Sequence, residues 1–271
     1  MKKETLRKLQ LEELEILKDV HSFCMNNGIK YSLYAGTAIG AVRHKGFIPW
    51  DDDIDIIMTR NNYEKFVNRW LESPMTGLYL QCSRTEDNIG ITHAKIRKDG
   101  TILLSEGENK NIGHHGIWID IFVLDKVKNS FFGKLYIKWN GLKCVLVTRG
   151  NDMLVNGSFL KACVKFLIRR IPLEWRKKIF VKSEKNTMKY RNLKQGYYET
   201  DLSALYTFVY KFPAFVSKKY ILVDFEGTKF MFFKNMNVML REIYGDYMKF
   251  PPESEQVCKH KPVEVRFSDT R

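Results

Sequence analysis

Three aspartates set among apolar residues have the types and spacing to do chemistry together. Asp53 and Asp55 stand in GFIPWDDDIDIIMTR, residues 46–60, and Asp120 stands in GIWIDIFVLD, residues 116–125. Ile54, Ile56 and Ile57 make the first run read as a strand. In a strand Asp53 and Asp55 point to one face, while Ile54 and Ile56 point to the other. Two carboxylates side by side repel, and a divalent cation between them relieves the repulsion. Asp120 lies between Ile119 and Ile121, where an acid is expensive to bury unless it is paired or bound. On its own it could serve a buried hydrogen bond to a loop. On a strand beside Asp53 and Asp55 it completes a set of three carboxylates suited to one or two magnesium ions, with manganese as the substitute. Asp120 could also accept the proton of an attacking hydroxyl. An EF-hand does not fit, because isoleucines interrupt the acids and no glycine stands at the sixth position.

Upstream, AGTAIGAVRHKG (35–46) places Gly36 and Thr37 where a strand passes into a helix. Backbone N–H groups there, with the Thr37 hydroxyl, can hold a phosphate. The glycine spacing is neither that of a Walker loop nor that of a dinucleotide fingerprint. Gly36 and Gly40 also suit close helix–strand packing. Arg43, His44 and Lys45 add positive charge shortly before the acids. Acids for a metal and bases for phosphate together describe phosphoryl-type transfer. Asp51 and Asp52 stand behind the site or cap the turn after Pro49-Trp50. Lys95, in a strand-like stretch, reaches toward a phosphate or snorkels to solvent.

The elements that must position these residues can be read in outline. Leu6, Leu9, Leu14, Ile16, Leu17 and Val20 predict an amphipathic helix to about Met25, ended by Asn27-Gly28. Residues 29–36 predict a strand, 37–46 a helix leaving through a basic loop, and 53–58 the acidic strand. A second helix follows Asn61 and closes before Pro74. Strands are expected at 78–81, 91–97 and 116–124, with a turn at Lys98-Asp99-Gly100. The alternation predicts a mixed α/β domain over 1–125. The segment 126–200 reads as basic and helical. The part from 201 to 271 completes the catalytic domain, with a hairpin or a pair of short strands in YILVDFEGTKFMFF and a short helix at 236–243.

Bulk composition excludes several classes. The chain has 271 residues, 44% hydrophobic and 28% charged, enough for a large core and unlike a disordered protein. Five widely spaced cysteines form no CxxC pair, so reduced thiols are expected and a disulfide scaffold is not. The opening MKKETLRKLQLEELEILKDV lacks the apolar stretch of a signal peptide, and no spanning segment is expected. The net charge of +14 is concentrated: Lys126 to Lys194 holds 18 Lys or Arg against 3 Asp or Glu. Such a field suits a polyanionic partner or an anionic membrane, and equally a solvated surface. Helix-turn-helix logic, zinc spacing and RNA-binding aromatics are missing, so no nucleic acid is expected.

YSLYAGTAIGAVRHKGFIPWDDDIDIIMTR resembles the core signature of the LicD family of phosphotransferases, which is also similar to fukutin and its relatives. The likeness extends to the opening helix, to HAKIRK and HHGIWIDIFVLD, and to FEGTKFMFF and YGDYMKFPP. It implies a nucleotidyltransferase-like fold of α+β class with a mixed sheet core and a helical, basic insertion. It also implies a Gly-Thr at a helix start before Asp-x-Asp and a third acid on another strand, which Gly36-Thr37, Asp53, Asp55 and Asp120 match. One departure is Ala35-Gly36-Thr37-Ala38-Ile39-Gly40, where many members have Gly-Gly-Thr-Leu-Leu-Gly.

The activity implied by the resemblance is transfer of phosphocholine from CDP-choline to a sugar hydroxyl of a cell-surface glycan, lipopolysaccharide or teichoic acid, releasing CMP. The alternatives are a nucleotidyltransferase using CTP, or the same transfer from CDP-ribitol, CDP-glycerol or CDP-ethanolamine. On this reading Asp53, Asp55 and Asp120 are catalytic and metal-binding. Gly36, Thr37, Arg43, His44, Lys45, Trp50 and Lys95 bind substrate, Arg43 and Lys45 by neutralising the leaving phosphate. Trp50, Tyr34 and Trp118 are candidates for a choline cage. His44, His114 and His115 are acid–base candidates with no spacing to choose among them. The glycan acceptor is expected on a lipid, and the enzyme in the cytoplasm, peripheral on the inner face of the membrane. Two stretches could hold that surface: 159–170, with Leu160, Val164, Leu167 and Ile168 on one helical face, and Phe131, Phe132, Tyr136 and Trp139 beside Lys134 and Lys138.

Overall fold

The computed structural model describes residues 1–86, 93–105, 113–149, 170–201, 210–260 and 262–268. Two compact units emerge. One comprises Met1–Gln81, Lys95–Phe122 and Phe215–Arg271, and the other Cys82–Ala94 and Val123–Ala214.

The first unit is built on α1 (Lys3–Asn26), β1 (Ser32–Leu33), α2 (Ala35–Arg43), β2 (Asp55–Thr59), α3 (Arg60–Glu72) and β3 (Leu78–Gln81). Next come β4 (Ala94–Lys98), β5 (Ile102–Ser105) and β6 (Trp118–Lys128), which passes into the second unit after Phe122. The strand order is β1-β2-β6-β4-β3. α1 buries Leu6, Leu9, Leu14, Ile16, Leu17, Val20, Phe23 and Cys24, the stripe that its apolar spacing predicts. α3 buries Tyr63, Phe66, Val67 and Trp70 on one face, and Phe23 of α1 packs edge-on against Phe66 at 5.4 Å. The predicted first strand shrinks to two residues because α2 begins at Ala35. The acidic strand begins at Asp55, leaving Asp53 in the extended lead-in. Of the strand expected at 91–97, Ile91 and Thr92 lie outside the described residues.

The C-terminal part of this unit holds the expected hairpin, β9 (Tyr220–Phe225) and β10 (Thr228–Phe233), and a short helix, Met236–Tyr244. The hairpin turns through Glu226 and Gly227, at φ 50° and 73°, the left-handed pair that a tight hairpin favours. One pairing was not expected: β11 (Pro262–Arg266) lies antiparallel to β5.

The second unit carries two helices of the basic segment, α4 (Phe131–Arg149) and α5 (Leu173–Thr187). They pack through Cys144, Val147 and Phe180. The end of β6 pairs antiparallel with β7 (Tyr197–Asp201), which pairs with β8 (Phe212–Pro213). In total the described residues form a mixed α+β fold with a mixed sheet and a helical basic region. Among them no helix is long and apolar enough to cross a membrane. Cys24, Cys82, Cys144 and Cys258 are unbonded to one another.

Candidate active site

The acids expected to meet do so. Oxygens of Asp53, Asp55 and Asp120 lie within 4.8 Å of one another. The register follows from the backbone. Asp120 N–H donates to the Ile54 carbonyl at 2.9 Å, which sets β6 beside the Asp53–Asp55 stretch. On the other side Tyr34 N–H donates to the Asp55 carbonyl at 2.9 Å. Asp55 N–H donates to Thr37 Oγ1 at 2.8 Å, so the threonine ties α2 to the acidic strand.

Burial makes the negative charge costly. The Asp55 carboxyl lies well above its ordinary range because burial disfavours the ion, reinforced by Asp53, Asp120 and Asp51. Asp53 is raised by burial too, with His260 opposing and Asp120 reinforcing. Asp120 is better compensated. Lys95 Nζ sits 2.7 Å from Oδ1, and Trp118 Nε1 donates to Oδ2 at 3.1 Å. Lys95 itself is lowered by burial, against the pull of Asp120. The donor set is three carboxylates in a site that resists ionisation unless positive charge arrives, which suits a hard cation with oxygen ligands.

Other predicted residues take up definite places. Gly36 lies at the start of α2, and a Cβ there would come within 2.6 Å of Asp51 Oδ2, so the Asp51 carboxylate stands against that helix start. Burial, with Asp53 beside it, pushes Asp51 up to about 8, while Lys259 and His260 hold it down. Arg43 donates to the Tyr247 and Lys249 carbonyls at 3.0 and 3.3 Å and lies 4.4 Å from the Phe250 ring centre. His44 meets Phe250 edge-on at 5.6 Å, and Trp50 is tilted toward it at 6.2 Å. Lys45 is exposed, and its carbonyl accepts from Glu226 N–H. Of the proposed cage residues, Trp118 already carries Lys95 and Arg97 at 4.2 and 4.8 Å from its ring centre, and Tyr34 is buried against Phe122. Trp50 is half-buried beside an exposed Phe250. His114 is held by Asp99 at 2.8 Å and stacks on Tyr79.

Two residues at the site were missed. His260 Nδ1 lies 3.3 Å from Asp52 Oδ1 and 3.9 Å from Asp53 Oδ2, and the ring meets Trp118 edge-on. Its own N–H and that of Lys259 point at the Asp52 carboxylate, at 3.1 and 3.3 Å. Burial alone would raise Asp52, but these bonds outweigh it and hold the carboxyl low. The other is Glu13 of α1, fully buried and raised by that burial and then by Asp53, Asp52, Asp51 and Asp120. Its place on the apolar stripe, in line with Leu6, Leu9, Leu17 and Val20, was a legible signal. The polar stretch around His260 offered none.

An α2 start tied to an acid on β2, with a second acid in the lead-in to that strand and a third on β6, is the arrangement of a nucleotidyltransferase-like transferase. Residues 28–142 match a family model described as LicD/FKTN/FKRP, nucleotidyltransferase domain. Over 96% of its length the chain is 32% identical to lipopolysaccharide cholinephosphotransferase LicD of Haemophilus influenzae, covering 97% of that protein. Uncharacterized proteins of Rickettsia prowazekii and Rickettsia typhi share 49% identity over 49 residues, 18% of this chain and 18% and 16% of theirs. The chain belongs to the LicD family of transferases.

Proposed function

We propose that this enzyme transfers phosphocholine from CDP-choline to a sugar hydroxyl of lipopolysaccharide, releasing CMP. The observation that carries the reading is the convergence of Asp53, Asp55 and Asp120 in a chain that aligns almost end to end with a lipopolysaccharide cholinephosphotransferase. Teichoic acid is the acceptor to be tried second. The three carboxylates would hold magnesium, or manganese in its place, which when bound neutralises charge on the diphosphate.

The residues of the chain supply the rest. Asp53 and Asp55 fix the diphosphate side of the site. Asp120, oriented by Lys95 and Trp118, faces the incoming hydroxyl. That oxygen forms a bond to the choline-bearing phosphorus as the bond to CMP breaks, and its proton passes to a carboxylate of the cluster. Thr37 holds the strand in place for this. Gly36 and Thr37 cradle phosphate at the α2 start once Asp51 yields. Lys45 neutralises the leaving group, and Arg43 positions the Tyr247–Phe250 turn. Trp50, with Phe250 and His44 near it, is the side of the site proposed for the trimethylammonium group. We place the enzyme in the cytoplasm, peripheral on the inner face of the membrane, where a nucleotide donor and a lipid-borne acceptor meet.

The test is product analysis with magnesium and one nucleotide at a time. CMP released from CDP-choline in the presence of lipopolysaccharide is expected. Pyrophosphate from CTP, with CDP-choline left intact, would replace the proposal with a nucleotidyltransferase. Faster turnover of CDP-ribitol, CDP-glycerol or CDP-ethanolamine would reassign the donor.

A further inference from the structure

Helix α4 is apolar on both sides. Its inner face buries Ile137, Cys144 and Val147, the last two against Phe180 of α5. Its outer face carries Phe131, Phe132, Leu135 and Trp139, which remain 74%, 79%, 54% and 60% exposed. A surface helix usually presents polar residues outward, and a second apolar stripe of this size marks an interaction surface. Phe132, Leu135, Tyr136 and Trp139, with Lys189 and Tyr190, line an open hollow of about 510 Å³. A second hollow, of about 470 Å³, shares Lys189 and adds Arg84, Lys185 and Arg191. The acid in that second hollow, Glu184, accepts a hydrogen bond from Ser83 at 2.9 Å. Along α5, Lys178, Lys182 and Lys185 follow one another on a single exposed face.

We propose that this α4–α5 face docks on an anionic phospholipid surface. Phe131, Phe132, Leu135 and Trp139 sit among the acyl chains, while Lys185, Lys189 and Arg191 meet lipid phosphates. The charge selects this occupant. A second copy would bring one strongly basic surface against another, and a nucleic acid duplex would answer the cations but leave the apolar stripe in water. Apolar insertion flanked by cations is how a peripheral protein holds a charged bilayer. The inference rests on the peripheral placement proposed above and gives that placement its residues. The other candidate stretch, 159–170, lies outside the described residues apart from Arg170.

The experiment is sedimentation of the full chain with vesicles of phosphatidylcholine, alone or mixed with phosphatidylglycerol. Binding to the mixed vesicles is expected to be at least roughly tenfold tighter and to weaken with salt. Phe132→Ser with Trp139→Ser should remove most of it. Lys185→Gln, Lys189→Gln and Arg191→Gln together should weaken it by about a hundredfold, at about fivefold per cation, and flatten the salt dependence. Both variants should keep wild-type CMP release on a soluble, delipidated acceptor. Equal indifference to both vesicles would overturn the inference, as would a dimer that the serine variant splits in a protein that ignores vesicles. Vesicle binding by a protein that releases no CMP would leave the docking face standing and remove the transfer reading.

Discussion

Asp55→Asn separates a cation site from a merely acidic pocket. The change keeps the side chain's shape and the backbone hydrogen bond to Thr37, and it removes one charge. With facing oxygens within 4.8 Å, each ionised pair repels by about 3 kcal/mol or more at an effective dielectric near 20. Lys95, 2.7 Å from Asp120, offsets part of this. In chelator the variant should therefore be more stable by about 1–3 kcal/mol, a Tm gain of about 2–4 °C per kcal/mol. Excess magnesium reverses the order. At a concentration about a hundredfold above Kd the wild type gains about 2.7 kcal/mol, and the variant, with a depleted ligand set, gains little. The pH response has a definite sign. Carboxyls raised by folding hold their protons in the native state while the unfolded chain ionises. Stability in chelator therefore falls as pH rises from the ordinary carboxylate value of 3.8, until groups such as Asp51, at about 8, have ionised. The variant should lose one group's share of that slope, up to about 1.4 kcal/mol per pH unit. Thermal melts in chelator and in magnesium, from weakly acid to weakly basic pH, read all of this. An Asn variant that is destabilised in chelator and shifted by magnesium as much as the wild type would refute the reasoning.

Lys95→Met should cost about 3–5 kcal/mol, because it strips the ammonium from a buried Asp120, and adding Asp120→Asn should restore part of the loss in denaturant melts. Glu226→Gln should cost about 1 kcal/mol, since Glu226 pairs with Arg7 at 2.6 Å and accepts from Phe47 N–H at 3.1 Å. Burial opposes the ionised Glu226, but the bond from Arg7 and that from Phe47 hold its carboxyl below 4.5. The wild type should thus lose this contribution as pH falls from 4.5 through the folded value, and the variant should not, as acid titration of Tm would reveal. Ala35→Gly should stabilise by roughly 0.5 kcal/mol, because Ala35 sits at φ 44°, in the left-handed region that favours glycine. Ala35→Val should do the opposite, and a destabilised glycine variant would count against strain at this turn.

The sequence made the acid cluster legible because its determinants are local. Alternation with isoleucine sets the face of Asp53 and Asp55, and the same alternation around Asp120 marks a second strand with an inward acid. α1 and α3 were legible for the same reason, through helical periodicity, and the β9–β10 hairpin through its dense apolar run. What escaped depends on distant pairing. β11 is recruited by β5 from the far end of the chain, and its alternation is too short to announce a partner. β7 reads YYETD, a polar run that becomes a strand because β6 offers it an edge. Arg43 shows the limit of reading charge alone. Sequence proximity to the acids suggests a phosphate ligand, but it does not announce that Arg43 Nη1 also donates to the Tyr247 and Lys249 carbonyls, about 200 residues away.

The bond from His260 N–H to Asp52 also has a consequence in time. The two residues are 208 positions apart. At about 5–20 residues per second, roughly 10–40 s of synthesis separate them. Throughout that interval the nascent chain already carries the four acids of the 51–55 run, along with α1 and α2, yet the Asp52 carboxylate must rely on water. The acid site is therefore begun well before it can be finished, and a ribosome-bound chain stalled before Lys259 should carry an incomplete one.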